Sequence, residues 1–334
     1  MRQSQATIYE VAARVGVSIS TVSLAINHPD RVAATTRDRI LAAADDLSFV
    51  PKEGAVARAH AGVGRLAVVA PFTSYPSYGR RLSGMLTEVK GESQVLVYDH
   101  EDVATSTSPL LESLPVRGHV DGLVIMGVPL HKAVASRLRR RLPTVLVDMR
   151  HPGLTSVYVD DVAGGRVVGE RLVELGHRRV AFVREEERSY LALSPTQQRK
   201  DGLVAVLGAD HVEEITVDRG PGLGERALDQ LLAVQGERPT AVVANRDFVA
   251  LSIMAAASRR GLNVPEDLSI VGFDDDAIAE ELGLTTVGQP FEESGALAVR
   301  LLREMIPNHG GTPTQNMLPF TLAERSTLGP APAQ

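Results

Sequence analysis

Apolar positions in the first sixty residues recur with the period of a helix. Ile8, Val11, Ala12 and Val15 form one such stripe, and Gly16 ends it. A second short helix is expected after Ser18, burying Val22, Ala25 and Ile26, with His28-Pro29-Asp30 breaking it. A third is expected to follow Thr35, with Thr35 and Asp38 as a capping box and Ile40, Leu41, Ala44 and Leu47 turned inward. Three short helices, the first two joined by a tight glycine-containing turn, describe a helix-turn-helix. From Arg65 the rhythm changes to short apolar runs, each followed by a helical pattern. The runs are LAVVA (66–70), QVLVY (94–98), GLVIM (122–126), TVLVD (144–148), RVAFV (179–183), TAVVA (240–244) and LSIVGF (268–273). Such alternation predicts parallel strands covered by helices. Seven or more strands in the remainder of the chain predict two doubly wound lobes, with a ligand crevice between them at the carboxyl ends of the strands.

The expected fold class is therefore an all-α helix-turn-helix headpiece followed by α/β, as two doubly wound parallel-sheet lobes. The boundaries read as a headpiece at 1–50, a linker at 51–64 and a sensing and dimerising domain at 65–330. Lobe 1 takes about 65–160 and 291–318, and lobe 2 about 161–288 and 319–330. Charge adds an asymmetry. Residues 1–62 carry seven Arg/Lys against six Asp/Glu, net +1, while the remainder holds 28 against 35, net -7. A DNA reader on an acidic sensor fits that split, although +1 is a weak electrostatic footprint. The chain has no cysteine, which excludes disulfides, thiolate catalysis and Cys-based zinc sites. No run approaches the ~18 apolar residues of a membrane span. Met1–Glu10 lacks a signal-peptide layout, so a cytoplasmic location is expected, with no membrane partner.

The stretch TIYEVAARVGVSISTVSLAIN (7–27), continued by RVAATTRDRILAAADDLSFVP (31–51), resembles the LacI repressor family. Its pattern is met by Thr7, Tyr9, Val11, Ala12, Gly16, Val17, Ser18, Ser20, Thr21, Val22, Ser23 and Asn27. Helical geometry agrees: with Val22, Ala25 and Ile26 inside, Ser20, Leu24 and Asn27 face outward. Short side chains there let the backbone approach a major groove. The resemblance implies base reading by Ile19, Ser20 and Leu24, the leucine suited to a thymine methyl, and phosphate contacts from Tyr9, Thr21, Ser23, Asn27 and Thr36. Thr7 and Ser18 belong to the same expected DNA-binding set. For the serines, helix capping is the competing reading, and for Tyr9 a half-buried core position. The linker VPKEGAVARAHAG (50–62) resembles the family's hinge. Arg58 stands where a leucine wedge is usual, and arginine suits a narrow minor groove.

Resemblance continues through VDGLVIMGV (120–128), VDDVAGGRVVGERLVELGHRRVAFV (159–183), RGLNVPEDLSIVGFDD (260–275), LTTVGQP (284–290) and AERST (323–327). These pieces are similar to the family's sensor domain, of periplasmic-binding-protein type I. The resemblance implies a carbohydrate-like effector held by Phe72, Thr73, Tyr78, Asp148, Arg199, Arg246, Asp274, Gln289 and Phe291. Asp274 and Arg199 would supply charge-assisted bonds to vicinal hydroxyls while aromatics cover the ring. The family usually has Asn-Asp after the strand occupied here by TAVVA. If Asp247 takes that Asp position, Arg246 replaces the asparagine, the pocket gains a cation, and a sugar acid or phosphate becomes attractive. If Asn245 aligns, a neutral sugar remains natural. Glu185-Glu186-Glu187 reads as a solvated loop. Asp274-Asp275-Asp276 lacks a histidine partner, and neither metal nor cofactor is expected.

Enzyme readings find no support. Gly62-x-Gly64 precedes a strand instead of following one, and there is no P-loop, nucleophile elbow or metal-binding histidine spacing. The resemblance implies a homodimeric repressor on a palindromic operator, released by its effector. The alternatives are a corepressor-activated repressor and a sugar-binding protein without a regulatory role.

Overall fold

The computed structural model describes residues 6–49, 64–100, 109–117, 120–186, 194–308 and 310–332. Arg58 and the rest of segment 50–63 lie outside the described residues.

The headpiece contains α1 (Ile8–Val15), α2 (Ile19–Asn27) and α3 (Ala34–Asp46), with a 3₁₀ turn at Pro29–Arg31. Local chemistry explains the ends. Thr7 and Glu10 form a reciprocal capping box, and Gly16 closes α1 in the left-handed conformation at φ 75°. Ser18 caps α2, its hydroxyl accepting from Thr21 N at 3.1 Å. The capping box expected at Thr35 is absent. α3 begins two residues earlier, at Ala34, with Ala33 at the cap and no side-chain bond there, because Thr35 is already inside the first turn. Leu47 is half-buried and terminates α3. Val11, Val22, Ile26, Ile40 and Leu41 make the headpiece core.

Twelve strands follow among the described residues: β1 (Arg65–Ala70), β2 (Gln94–Asp99), β3 (Gly122–Met126), β4 (Thr144–Val147), β5 (Thr155–Val159), β6 (Val180–Glu185), β7 (Val212–Val217), β8 (Ala241–Ala244), β9 (Ser269–Asp274), β10 (Thr285–Gly288), β11 (Gln315–Leu318) and β12 (Thr321–Ala323). Between them run α4 (Pro76–Val89), α5 (Pro109–Arg117), α6 (Lys132–Arg141), α7 (Asp161–Glu174), α8 (Pro195–Leu207), α9 (Leu223–Ala233), α10 (Asp247–Arg259), α11 (Ala277–Glu281) and α12 (Phe291–Met305). The strands form two six-stranded sheets, ordered β2-β1-β3-β4-β5-β11 and β7-β6-β8-β9-β10-β12. β12 pairs antiparallel with β10, whereas β1 to β5 and β6 to β10 pair parallel. All seven apolar runs read from the sequence are strands. β5, β7, β10, β11 and β12 lacked that signature because they are short, carry Thr or Ser at buried positions, or expose alternate polar side chains.

The chain divides into two compact units, Met1–Tyr158 with Phe291–Asn316, and Val159–Pro290 with Met317–Gln334. In the first, strand order reverses between β1 and β3; in the second, between β6 and β8. Ligand groups in doubly wound folds gather at the carboxyl ends beside such switch points. Each unit also joins two helices through reciprocal glycines. A Cβ on Gly84 or Gly295 would collide with the carbonyl of Glu292 or Arg81, which shows how closely α4 and α12 approach. Gly165 and Gly202 likewise face the carbonyls of Arg199 and Val162, joining α7 to α8 and setting the height at which Arg199 emerges.

Candidate functional site

Two kinds of site emerge. On the headpiece, α2 presents Ser20, Leu24 and Asn27 as exposed residues opposite buried Val22, Ala25 and Ile26. Ile19 is 40% exposed, Leu24 37% and Tyr9 68%, so three large apolar or amphipathic side chains stand on the surface of a small domain with ample core positions. Tyr9 is thus outside the core. Ser18 and Thr21 are occupied with each other, their hydroxyls 2.8 Å apart, and Asn27 Nδ2 donates to Ser23 Oγ at 3.4 Å. Thr7 is engaged in its capping box, and Thr36 is half-buried in the first turn of α3. Thr7 and Ser18 therefore combine a capping role with exposure, each at the start of a helix.

In the second unit, buried polar side chains cluster at strand ends. Arg199, on α8, donates Nε to Asp161 Oδ1 at 2.8 Å and Nη1 to the Asn245 carbonyl. It stacks 4.6 Å over Phe273 and lies 3.9 Å from Asp274. Burial pushes the Asp274 carboxyl up to about 8, against the pull of Arg199. Asp247, fully buried, accepts from Thr286 Oγ1 and from Asp276 N at 2.9 Å, and burial raises it to about 6. Arg246 pairs with Glu185, a residue only 3% exposed at the end of β6. This corrects two expectations. Glu185 is a buried partner and not part of a solvated loop, because β6 extends through it; Glu186 alone of the described pair is exposed. Arg246, consequently, adds no net positive charge. Asn245 Oδ1 and Gln289 Nε2 are buried and have no hydrogen-bond partner among the described residues.

In the first unit, Arg81 is 4% exposed and pairs with Asp148. Its guanidinium sits 4.2 Å over Phe291 and 5.4 Å over Tyr78, and its Nε and Nη1 find no partner among the described residues. Tyr78 is half-buried, edge-on to Tyr75. Thr73 bonds Asp99 at 2.6 Å, and Phe72 is half-buried beside it. A cavity of about 60 Å³ in this unit lies elsewhere, at the amino ends of β4 and β5 beside Arg139 and Pro313, and has room for a few waters. Asp148 at φ 60° and Asp274 at φ 127° hold left-handed backbone at the ends of their strands. Such strain persists where surrounding structure imposes it, commonly at binding sites.

The profile of bacterial regulatory proteins of the lacI family matches residues 7–52, and that of the periplasmic binding protein-like domain matches residues 169–328. The HTH-type transcriptional repressor PurR of Pectobacterium carotovorum subsp. carotovorum is 30% identical, over 98% of each chain. This chain belongs to the LacI family. It is a DNA-binding transcriptional repressor and not an enzyme, as its named relatives are. Among solved structures, the lac repressor dimer bound to operator and the anti-inducer ONPF superposes with a TM-score of 0.67 at 25% identity, covering 97% of this chain and 99% of that one. A LacI family regulator from Enterococcus faecalis with bound ribose gives 0.70 at 26%, covering 80% and 99%. Among the described residues of the repressor, no single helix is long and apolar enough to cross a membrane.

Sequence reading missed Arg81, Asp161 and Glu185 as members of these clusters, and missed the contact made by the Asn245 carbonyl. Arg81 and Asp161 occupy helix positions where a charged residue ordinarily faces solvent, so nothing local marks them. Glu185 had a usable signal, since it directly continues an apolar strand at a sheet's switch point.

Proposed function

We propose that this repressor is a homodimer whose paired headpieces hold a pseudo-palindromic operator and let go when a neutral, polyhydroxylated effector binds. Ile19, Ser20 and Leu24 read base edges, and Tyr9, Thr21, Ser23, Asn27 and Thr36 contact phosphates, with Thr7 and Ser18 ordering the helix starts beside them. The proposed effector residues of the second unit are Arg199, Asp274, Gln289 and Asn245; those of the first, taken by itself, are Arg81, Asp148, Tyr78 and Phe291. Phe72 and Thr73 flank the latter set, and Arg246 acts through its Glu185 pair.

The observation that carries this reading is the pairing of each buried guanidinium in these clusters with a carboxylate, beside orphaned amide groups: Arg199 with Asp161, Arg246 with Glu185, Arg81 with Asp148. Such a surface offers no surplus charge to a phosphate or sugar acid. It offers a donor in Gln289 Nε2, an acceptor in Asn245 Oδ1 and aromatic faces, which match hydroxyls that both donate and accept. The bound ribose of the E. faecalis relative supports the same class.

A gel-shift titration of the intact repressor on its operator, with a panel of neutral sugars beginning with ribose, tests this. Release by a neutral sugar is expected. Arg199→Ala should leave operator affinity unchanged and abolish the response. Tighter operator binding with ligand would make the ligand a corepressor, and a normal response in Arg199→Ala would place the effector elsewhere.

A further inference from the structure

The headpiece does not merely hang from the linker: it is seated on lobe 1. Arg37 of α3 and Glu112 of α5, 5% and 7% exposed, meet at 2.7 Å. Arg117, in the last turn of α5, donates to the Ile26 carbonyl at 2.7 Å, near the end of α2. From α6, Arg137 and Arg141 each place Nε 2.7 Å from one oxygen of Asp45. Arg141 also donates to the carbonyls of Ala44 and Phe49, at 2.7 and 3.1 Å. Carbonyls in the last turn of a helix lack intrahelical partners, so Arg117 satisfies one at Ile26, while Arg141 adds a second donor to the Ala44 carbonyl, which also accepts from Phe49 N at 2.9 Å. Val116 of α5 is 1% exposed and belongs to the headpiece's own apolar core.

These contacts use faces of α2 and α3 other than the reading face, since Tyr9, Ile19, Ser20 and Leu24 stay exposed. A desolvated carboxylate–guanidinium pair is tolerated only with good geometry, and its loss on one side leaves a buried charge unpaired. We infer that α5 and α6 form a docking surface for the headpiece of the same chain, which holds the recognition helix at a set orientation to lobe 1 before DNA arrives. Motion of lobe 1 then reaches α2 directly through Arg117 and Glu112, in addition to the linker. A pre-oriented headpiece binds more tightly than a freely tumbling one, because the competent orientation is already populated.

The absence of cysteine makes a direct test simple. Spin labels are placed at Asp38→Cys on α3 and Glu304→Cys on α12, both exposed, and labelled chain is diluted into excess unlabelled repressor so that only distances within one chain are read. Without DNA, one narrow distance distribution is expected. Glu112→Arg, which opposes Arg37, should broaden it and weaken operator binding about tenfold or more. The Arg37→Glu/Glu112→Arg double variant should restore both. Asp45→Lys, a change confined to the headpiece surface, should broaden the distribution without touching the fold of lobe 1. A broad distribution in the parental repressor overturns the inference. So does a narrow one indifferent to Glu112→Arg and Asp45→Lys, or a narrow distance that appears only when the labelled chain is left undiluted, which would seat the partner's headpiece there.

Discussion

At the scale of single residues, the second unit accepts unfavourable burial to hold its polar cluster. Asp274 and Asp275, at φ 127° and 55°, adopt backbone that side chains disfavour, and Asp247 is buried with no cation bonded to it in the hydrogen-bond pairs that anchor it. Burial raises Asp247 from 3.8 to about 6, so the folded state holds its proton more tightly than the unfolded chain. Its stabilising contribution is therefore complete below pH 3.8 and is lost as pH climbs through about 6. A shift of that size corresponds to about 3 kcal/mol. Relative to the parental protein, Asp247→Asn should thus fare better at pH 7 than at pH 4. Thermal melts at both values check this, and the lost acceptor for Thr286 or Asp276 cancels in the comparison because it does not titrate. An equal difference at the two pH values would show that Asp247 ionises normally.

Among the elements, the helix pairs matter most. α7 and α8 approach through Gly165 and Gly202 closely enough that any Cβ collides with backbone, which cannot rotate aside as a side chain can. Gly165→Ala should cost about 3 kcal/mol or more, at the upper end of overpacking effects, and disturb the effector response through Arg199. Gly79, in α4, is the control, because a methyl added there would meet nothing within 4 Å. Gly79→Ala should stabilise by about 0.5–1 kcal/mol. Denaturant melts of the two variants give the contrast, and similar midpoints would remove the case for close helix approach.

For the whole molecule, the proposed function requires two headpieces to engage one operator together. Phe248 at the start of α10, with Ile278 and Leu282 on and after α11, are each about half exposed, at 54%, 54% and 48%. Large apolar side chains exposed on two consecutive helices of one unit suit a subunit interface. Ile278→Glu should shift the repressor toward monomer in sedimentation and weaken operator binding about 10²-fold or more, since the second headpiece no longer benefits from tethering. A persistent dimer would place the interface elsewhere. The fold class was readable because periodicity and caps are local: Gly16 and Ser18 end and begin helices by their own conformational preferences, and buried parallel strands must be continuously apolar. Of the polar clusters, Arg199, Asp274, Asp148 and Gln289 were readable from their places after strands or in resembling motifs. Arg81 and Asp161 were not, because a charged residue on a helix carries no mark of the partner that allows its burial.

The amino-acid sequence alone determined the helix-turn-helix, the outward flank of α2 and the alternation that builds two parallel sheets, since each depends on neighbours within a few residues. Tertiary structure decided the pairings that span the chain. Glu185 neutralises Arg246 across 61 positions, which turns a seemingly cationic site into a balanced one. Arg37 reaches Glu112 across 75, seating the headpiece on lobe 1. Such pairs depend on desolvation and geometry that exist only once distant segments have packed together.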